Sequence, residues 1–223
     1  FPSEEIFFHG TNKLEDEIVL GLENNVGRFV VDNFHEAYLI NKIAGEKSKQ
    51  PEVLIRVTPG IEAHTHEYIQ TGQVDSKFGV SFAGDQAMDL VKAVINYENM
   101  KLKGIHAHIG SQIFALESYE KLIEVLFNFL SEIKEKTGKV LNEIDLGGGL
   151  GISHVEQEDP PEISELIKTI SGKIFSETKK YNYPLPQVIV EPGRSIIGPA
   201  GVTLYKIGSI KQVPNMTKYA AVD

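Results

Sequence analysis

Along the chain, short runs rich in β-branched and aromatic residues alternate with longer stretches of helical period. The strand-like runs are IFFHG (6–10), RFVVD (28–32), VLIRV (53–57), GIHAHI (104–109), LNEIDL (141–146) and QVIVE (187–191). Between them, apolar positions recur every three or four residues over 12–22, 34–44, 85–97, 116–135 and 161–181. Asn12 and Ser118 stand where helices start, and Gly138 where one stops. Strands that alternate with helices predict a parallel sheet, either an open doubly wound sheet or a (β/α)8 barrel.

Polar residues choose between the two. Nearly every strand-like run ends in a group capable of chemistry: His9, Asp32, Arg56, His108, the glycines after Leu146, and Glu191. A barrel gathers its site from many strand tips, whereas an open sheet has one crevice at a switch point. Six strands are two short of eight, and the chain opens on Phe1 and Pro2 directly before a strand-like run. The expectation is an α/β chain, a truncated (β/α)8 TIM-type barrel without its first two strands over residues 1–196. Residues 197–223 are expected to begin a C-terminal β domain. There SIIGPAGVTLYKIGSIKQVP (195–214) is alternating and turn-rich, and KYAAVD (218–223) is a further strand.

Composition narrows the partners. With 223 residues, 41% hydrophobic and 24% charged, the chain is an ordinary globular one with ample core. A net charge of −9 argues against nucleic acid and anionic membrane surfaces. There are no cysteines, hence no thiolate metal site or Cys nucleophile in this stretch. No apolar run reaches membrane-spanning length and FPSEEIFF lacks a signal peptide's basic start, which points to the cytoplasm.

The densest candidate chemistry is DLGGGLGI (145–152), with Gly147, Gly148, Gly149 and Gly151. It lacks the Lys of a P-loop and the third small residue of the dinucleotide fingerprint. It reads as a tight βα turn or as a loop whose backbone N–H groups take a phosphate, the glycines bare so that the backbone can close on the anion. EPGRS (191–195) reads as a salt-bridged turn, or as a carboxylate and a guanidinium beside an anion site. In HAHIGS (106–111), His106 and His108 two apart on a strand could both ligate a metal, or be hydrogen-bonded interior histidines, or His108 could stack on a ring with Ser111 donating to phosphate. His64 and His66 in EAHTHEY (62–68) read as solvated loop histidines, and DSKFG (75–79) as a turn.

Together RVTPGIEAHTHEYIQTGQVDSKFG (56–79), GIHAHIGSQI (104–113), LGGGLGI (146–152), EPGRSI (191–196) and YAAVD (219–223) resemble the fold-type III pyridoxal-phosphate decarboxylases, the alanine-racemase-like barrel group. The PGIEAHTHEYIQTGQ stretch favours the branch acting on meso-2,6-diaminopimelate, giving L-lysine and CO2, over the ornithine and arginine branches. The resemblance implies pyridoxal 5'-phosphate as cofactor and no metal. It implies that His108 stacks on the pyridine ring and Glu191 bonds the pyridine nitrogen. Ser111, Gly147, Gly148, Gly149, Gly193 and Arg194 would surround the phosphate, with Arg194 also reaching the substrate's distal carboxylate. The substrate would be a small amino acid and the parent a homodimer.

The resemblance also marks departures. The family's Schiff-base lysine ends its first barrel strand, and Lys13, Lys42, Lys77 and Lys101 stand in helix or loop patterns instead. The family's second domain, with a catalytic Cys, is expected beyond Asp223, so the chain as it stands is expected to be inactive. Three rivals stay open: a sister decarboxylase of ornithine, arginine or a carboxylated polyamine; a metal-dependent barrel hydrolase using His106 and His108; and a non-catalytic regulatory homologue.

Overall fold

The apolar runs lie side by side in chain order. In the computed structural model, which describes residues 1–61, 76–154, 156 and 158–223, they form a parallel sheet. Its strands are β1 (Phe7–Phe8), β2 (Arg28–Val31), β3 (Glu52–Thr58), β4 (Val80–Ser81), β5 (Lys101–His106), β6 (Glu143–Asp145) and β7 (Gln187–Ile189). The order is β1-β2-β3-β5-β6-β7, with β4 paired to the far end of β3. Strands of a sheet covered by helices are near-continuous apolar runs, and β3 buries five of its seven residues. Helices α1 (Glu15–Glu23), α2 (Phe34–Glu46), α3 (Gln86–Asn96), α4 (Glu117–Thr137) and α5 (Ile163–Lys180) follow the strands. Their apolar faces, Ile18, Ile40, Leu90, Leu126 and Ile170 among them, join the strands in one core. None of the described helices is long and apolar enough to cross a membrane.

The sheet is curled, as a barrel segment must be. Arg28 of β2 reaches Glu143 of β6, with Nε 2.8 Å from Oε2 and Nη2 2.6 Å from Oε1. Flat, those strands would stand about 14 Å apart at ~4.8 Å per step. Arg28 also holds Glu52 at 2.6 Å, and Lys103 holds Glu52 at 3.3 Å. A charged network therefore closes one end of the concave side. At the other end, His9 beyond β1 meets Glu191 beyond β7, Nε2 to Oε1 at 2.6 Å.

Several boundaries differ from expectation for local reasons. The strand expected over 104–109 begins at Lys101 and ends at His106, because the polar Lys101–Lys103 segment pairs with the start of β3 and Lys103 joins the network. Helix α1 starts at Glu15 rather than near Asn12. Lys13 is drawn inside, its Nζ donating to Gly10 O (2.9 Å), Val30 O (2.8 Å) and Glu36 Oε1 (2.7 Å). Leu14 is the N-cap instead, and Glu17 accepts its N–H at 2.8 Å. Ser118 is buried inside the first turn of α4 rather than capping it. Gly138 ends α4 as expected, left-handed at φ 70° with its N–H on Lys134 O.

Past β7 a short helix, α6 (Gly193–Ile197), leads to a separate antiparallel pair, β8 (Ile207–Gln212) and β9 (Lys218–Val222), exposed along their whole length. Residues 64 and 66 lie outside the described residues, so the reading of His64 and His66 is not addressed by the structure.

Candidate active site

Parallel pairing puts residues of one register on one face, so the strand tips build the site layer by layer. Arg56 pairs with His106 and His106 with Asp145. Residues two apart share a face, which brings Glu191 above Ile189, the partner of Asp145. His9, His106, Asp145 and Glu191 converge, each offering a ligand atom within 4.8 Å of the others. His106 Nε2 stands 3.5 Å from Glu191 Oε2, a loose contact, and the two imidazoles meet edge-on with centroids 4.9 Å apart.

Of the readings open for HAHIGS, a shared strand face for His106 and His108 is not what the structure provides. β5 ends at His106, so the two are not successive members of one strand face, and the groups gathered at His106 are His9, Asp145 and Glu191. Asp145 is the member of this cluster that sequence reading passed over. Its signal was present: it stands two residues before Gly147, at the tip of an apolar run.

His108 lies just beyond β5, and its Nδ1 accepts the Gly148 N–H at 3.3 Å. Its ring thus rests against the glycine loop. Ser111, further along the same connection, accepts from Arg194 Nη2 at 3.0 Å, joining two of the expected anion-binding residues. Gly193 opens α6, one turn from Glu191. Gly79 N–H donates to Asp32 Oδ1 at 2.9 Å, and Arg56 stacks on Phe78 at 4.5 Å, so the SKFG turn caps the site from the β3 side.

The glycine loop is clamped from both sides. Gly147 N–H donates to Asp145 Oδ1 (2.9 Å), Tyr119 Oη donates to Gly148 O (3.1 Å), and Ile113 exchanges backbone bonds with Gly149 and Gly151. Gln112 closes the end, its amide bonding both N–H and C=O of Ile152. A Cβ on Gly147 would lie 2.7 Å from Ala107 O, and one on Gly148 or Gly149 would strike the carbonyl of Glu191 or Gly110. The space the glycines leave is thus filled by neighbouring backbone, a packing reason that stands beside the expected phosphate loop. The Gly149 and Leu150 N–H groups, however, have no acceptor among the described residues.

Electrostatics follow from burial. His106 is pushed down to about 4 by its burial. Burial lowers His108 as well, with Arg56 adding to the effect. The Asp145 carboxyl is raised to about 7, by burial first and the charge of Glu191 second. Burial also pushes Glu191 upward, but contacts with His106 and then His9 outweigh it and hold this carboxyl well below the usual range. The site thus presents a carboxylate held ionised at its centre, with Arg194, Ser111 and the loop N–H groups at its rim.

A family profile described as "Pyridoxal-dependent decarboxylase, pyridoxal binding domain" matches residues 1–198. The diaminopimelate decarboxylase of Bacillus methanolicus is 44% identical over 223 residues, covering 100% of this chain and 52% of the relative. That of Bacillus subtilis (strain 168) is 41% identical over 223 residues, covering 100% and 51%. A crystal structure of diaminopimelate decarboxylase from M. jannaschii in co-complex with L-lysine superposes with a TM-score of 0.83 at 34% identity, covering 100% of this chain and 50% of that one. The chain spans about half the length of these relatives.

Proposed function

The chain belongs to the pyridoxal-dependent decarboxylases, through their pyridoxal-binding domain, and from that premise we propose that it forms the cofactor-holding part of an enzyme converting meso-2,6-diaminopimelate to L-lysine and CO2. One observation carries the reading. A half-buried carboxylate, Glu191, is held by two histidines on the same rim as the Arg194–Ser111 pair and a clamped loop with unspent N–H donors.

These residues fit pyridoxal phosphate. Arg194, Ser111 and the N–H groups of Gly149 and Leu150 supply donors for its phosphate, with Gly147, Gly148 and Gly193 shaping the cradle. Glu191 supplies the negative partner for its ring nitrogen, and His108 a flat face for its ring. Bound there, the cofactor supplies an electron sink for the pair left when CO2 departs. Glu191 keeps the ring nitrogen protonated, which is what makes the sink effective. His9 and His106 fix the orientation of Glu191, and the Asp145–Gly147 bond fixes the loop. Arg194 is also within the chemistry of a distal carboxylate, which diaminopimelate has and ornithine lacks. The names of the relatives, and L-lysine bound to one of them, support that substrate. The reading takes the working unit as a cytoplasmic homodimer, on the strength of the family.

The test is Glu191→Gln in the protein at its native length. Cofactor should stay bound, because the phosphate donors remain, while CO2 release from meso-diaminopimelate falls on the order of 100-fold or more. Unchanged turnover removes Glu191 from the mechanism. Faster release from ornithine than from diaminopimelate moves the substrate to the sister branch.

A further inference from the structure

The roles above leave one buried group unused. Asp145 is fully buried on β6. Its Oδ1 accepts the Gly147 N–H, and its Oδ2 is buried with no hydrogen-bond partner among the described residues. Asp145 belongs to the cluster in which its carboxylate, Glu191, His9 and His106 bring one ligand atom each within 4.8 Å of one another. A buried carboxylate oxygen without a donor is costly, and a second carboxylate beside it makes joint ionisation costlier still. The groups facing this space are His9 beyond β1, Asp32 beyond β2, Arg56 on β3, His106 on β5 with His108 beyond it, and Glu191 beyond β7. The guanidinium of Arg56 acts on Asp32 first and on Glu191 second, and Asp145 is not among its charged neighbours.

We propose that Asp145 is a positioning residue for Glu191: the two carboxyl groups share one proton, seated on Asp145, so that Glu191 alone presents negative charge toward the ring-nitrogen position. The directions of the two titrations agree, Asp145 rising to about 7 while Glu191 is held low. Asp145 also grips Gly147 N–H, so one side chain sets both the carboxylate at the ring end of the site and the loop at its phosphate end. This deepens the cofactor reading and rests on it.

Infrared difference spectroscopy on the cofactor-free protein tests the shared proton directly. The wild type should show a protonated-carboxyl C=O band that disappears with a midpoint near 7. Asp145→Asn, which keeps an acceptor for Gly147 N–H and a donor toward Glu191, should lose that band. Glu191→Gln removes the like charge, so the midpoint of Asp145 should move down toward the ordinary aspartate range. A band that survives in D145N, or a midpoint unmoved in E191Q, overturns the inference. The two readings fail separately. Turnover unaffected by E191Q removes the cofactor role of Glu191, whereas lost turnover with an unmoved Asp145 midpoint removes only the shared proton.

Discussion

Arg194 reaches back from α6 to Ser111, and this one hydrogen bond joins two segments that are 83 residues apart. Arg194→Ala should raise the cofactor dissociation constant by roughly 10-fold or more, the loss of one charge-assisted hydrogen bond. Binding unchanged on fluorescence titration would remove it from the anion site. His106 makes a different prediction. Its folded-state value, about 4, lies below the ordinary 6.5, so the folded protein binds fewer protons between those values than the unfolded chain. The stability of the wild type relative to His106→Gln should therefore fall by up to roughly 3 kcal/mol as pH drops from 6.5 to 4. Urea titrations that show a constant difference would mean His106 is not held neutral by burial. Of these residues, His108, Ser111, Glu191 and Arg194 were legible in the sequence because each stands at or just past a strand tip. Asp145 was passed over although it too stands at a strand tip, because what sets it apart is which atoms face it across the curl, and strand position alone does not encode that.

At the scale of elements, order and type were legible, since buried parallel strands and amphipathic helices have distinct periods. Ends were less so. The start of β5 is spelled with lysines because its partner is a charged network, and the start of α1 is displaced because Lys13 is drawn inside. The two-residue β4 has no periodicity to read. The glycine loop was legible as unusual, but its cause is packing. Gly148→Ala sets a methyl group against the Glu191 carbonyl and should destabilise the protein by about 1–3 kcal/mol while weakening cofactor binding. Gly172, in the interior of α5 with open space around it, is the control: Gly172→Ala should stabilise by about 0.5–1 kcal/mol. Equal effects of the two in denaturant titrations would contradict the account of the loop.

Across the whole molecule, the curl is held at one end by Arg28, which grips Glu143 from three strands away along the sheet. Arg28→Ala leaves Glu143 buried without its partner and should cost about 3 kcal/mol. The double change Arg28→Met with Glu143→Leu should recover most of that, because neither charge is then stranded. A loss under ~1 kcal/mol for the single variant would mean the network does not hold the curl. The opposite end closes through His9 and Glu191, one near the start of the chain and the other near the last strand of the sheet. During synthesis His9 emerges before β2 to β7, and its partner exists only once β7 is made. The centre of the site thus waits for the whole sheet, and incompletely folded chains offer the cofactor no finished place to bind. Because the ligand favours only the completed form, it draws the population toward it by mass action. On the proposed reading, cofactor supply then bears on folding as well as on chemistry.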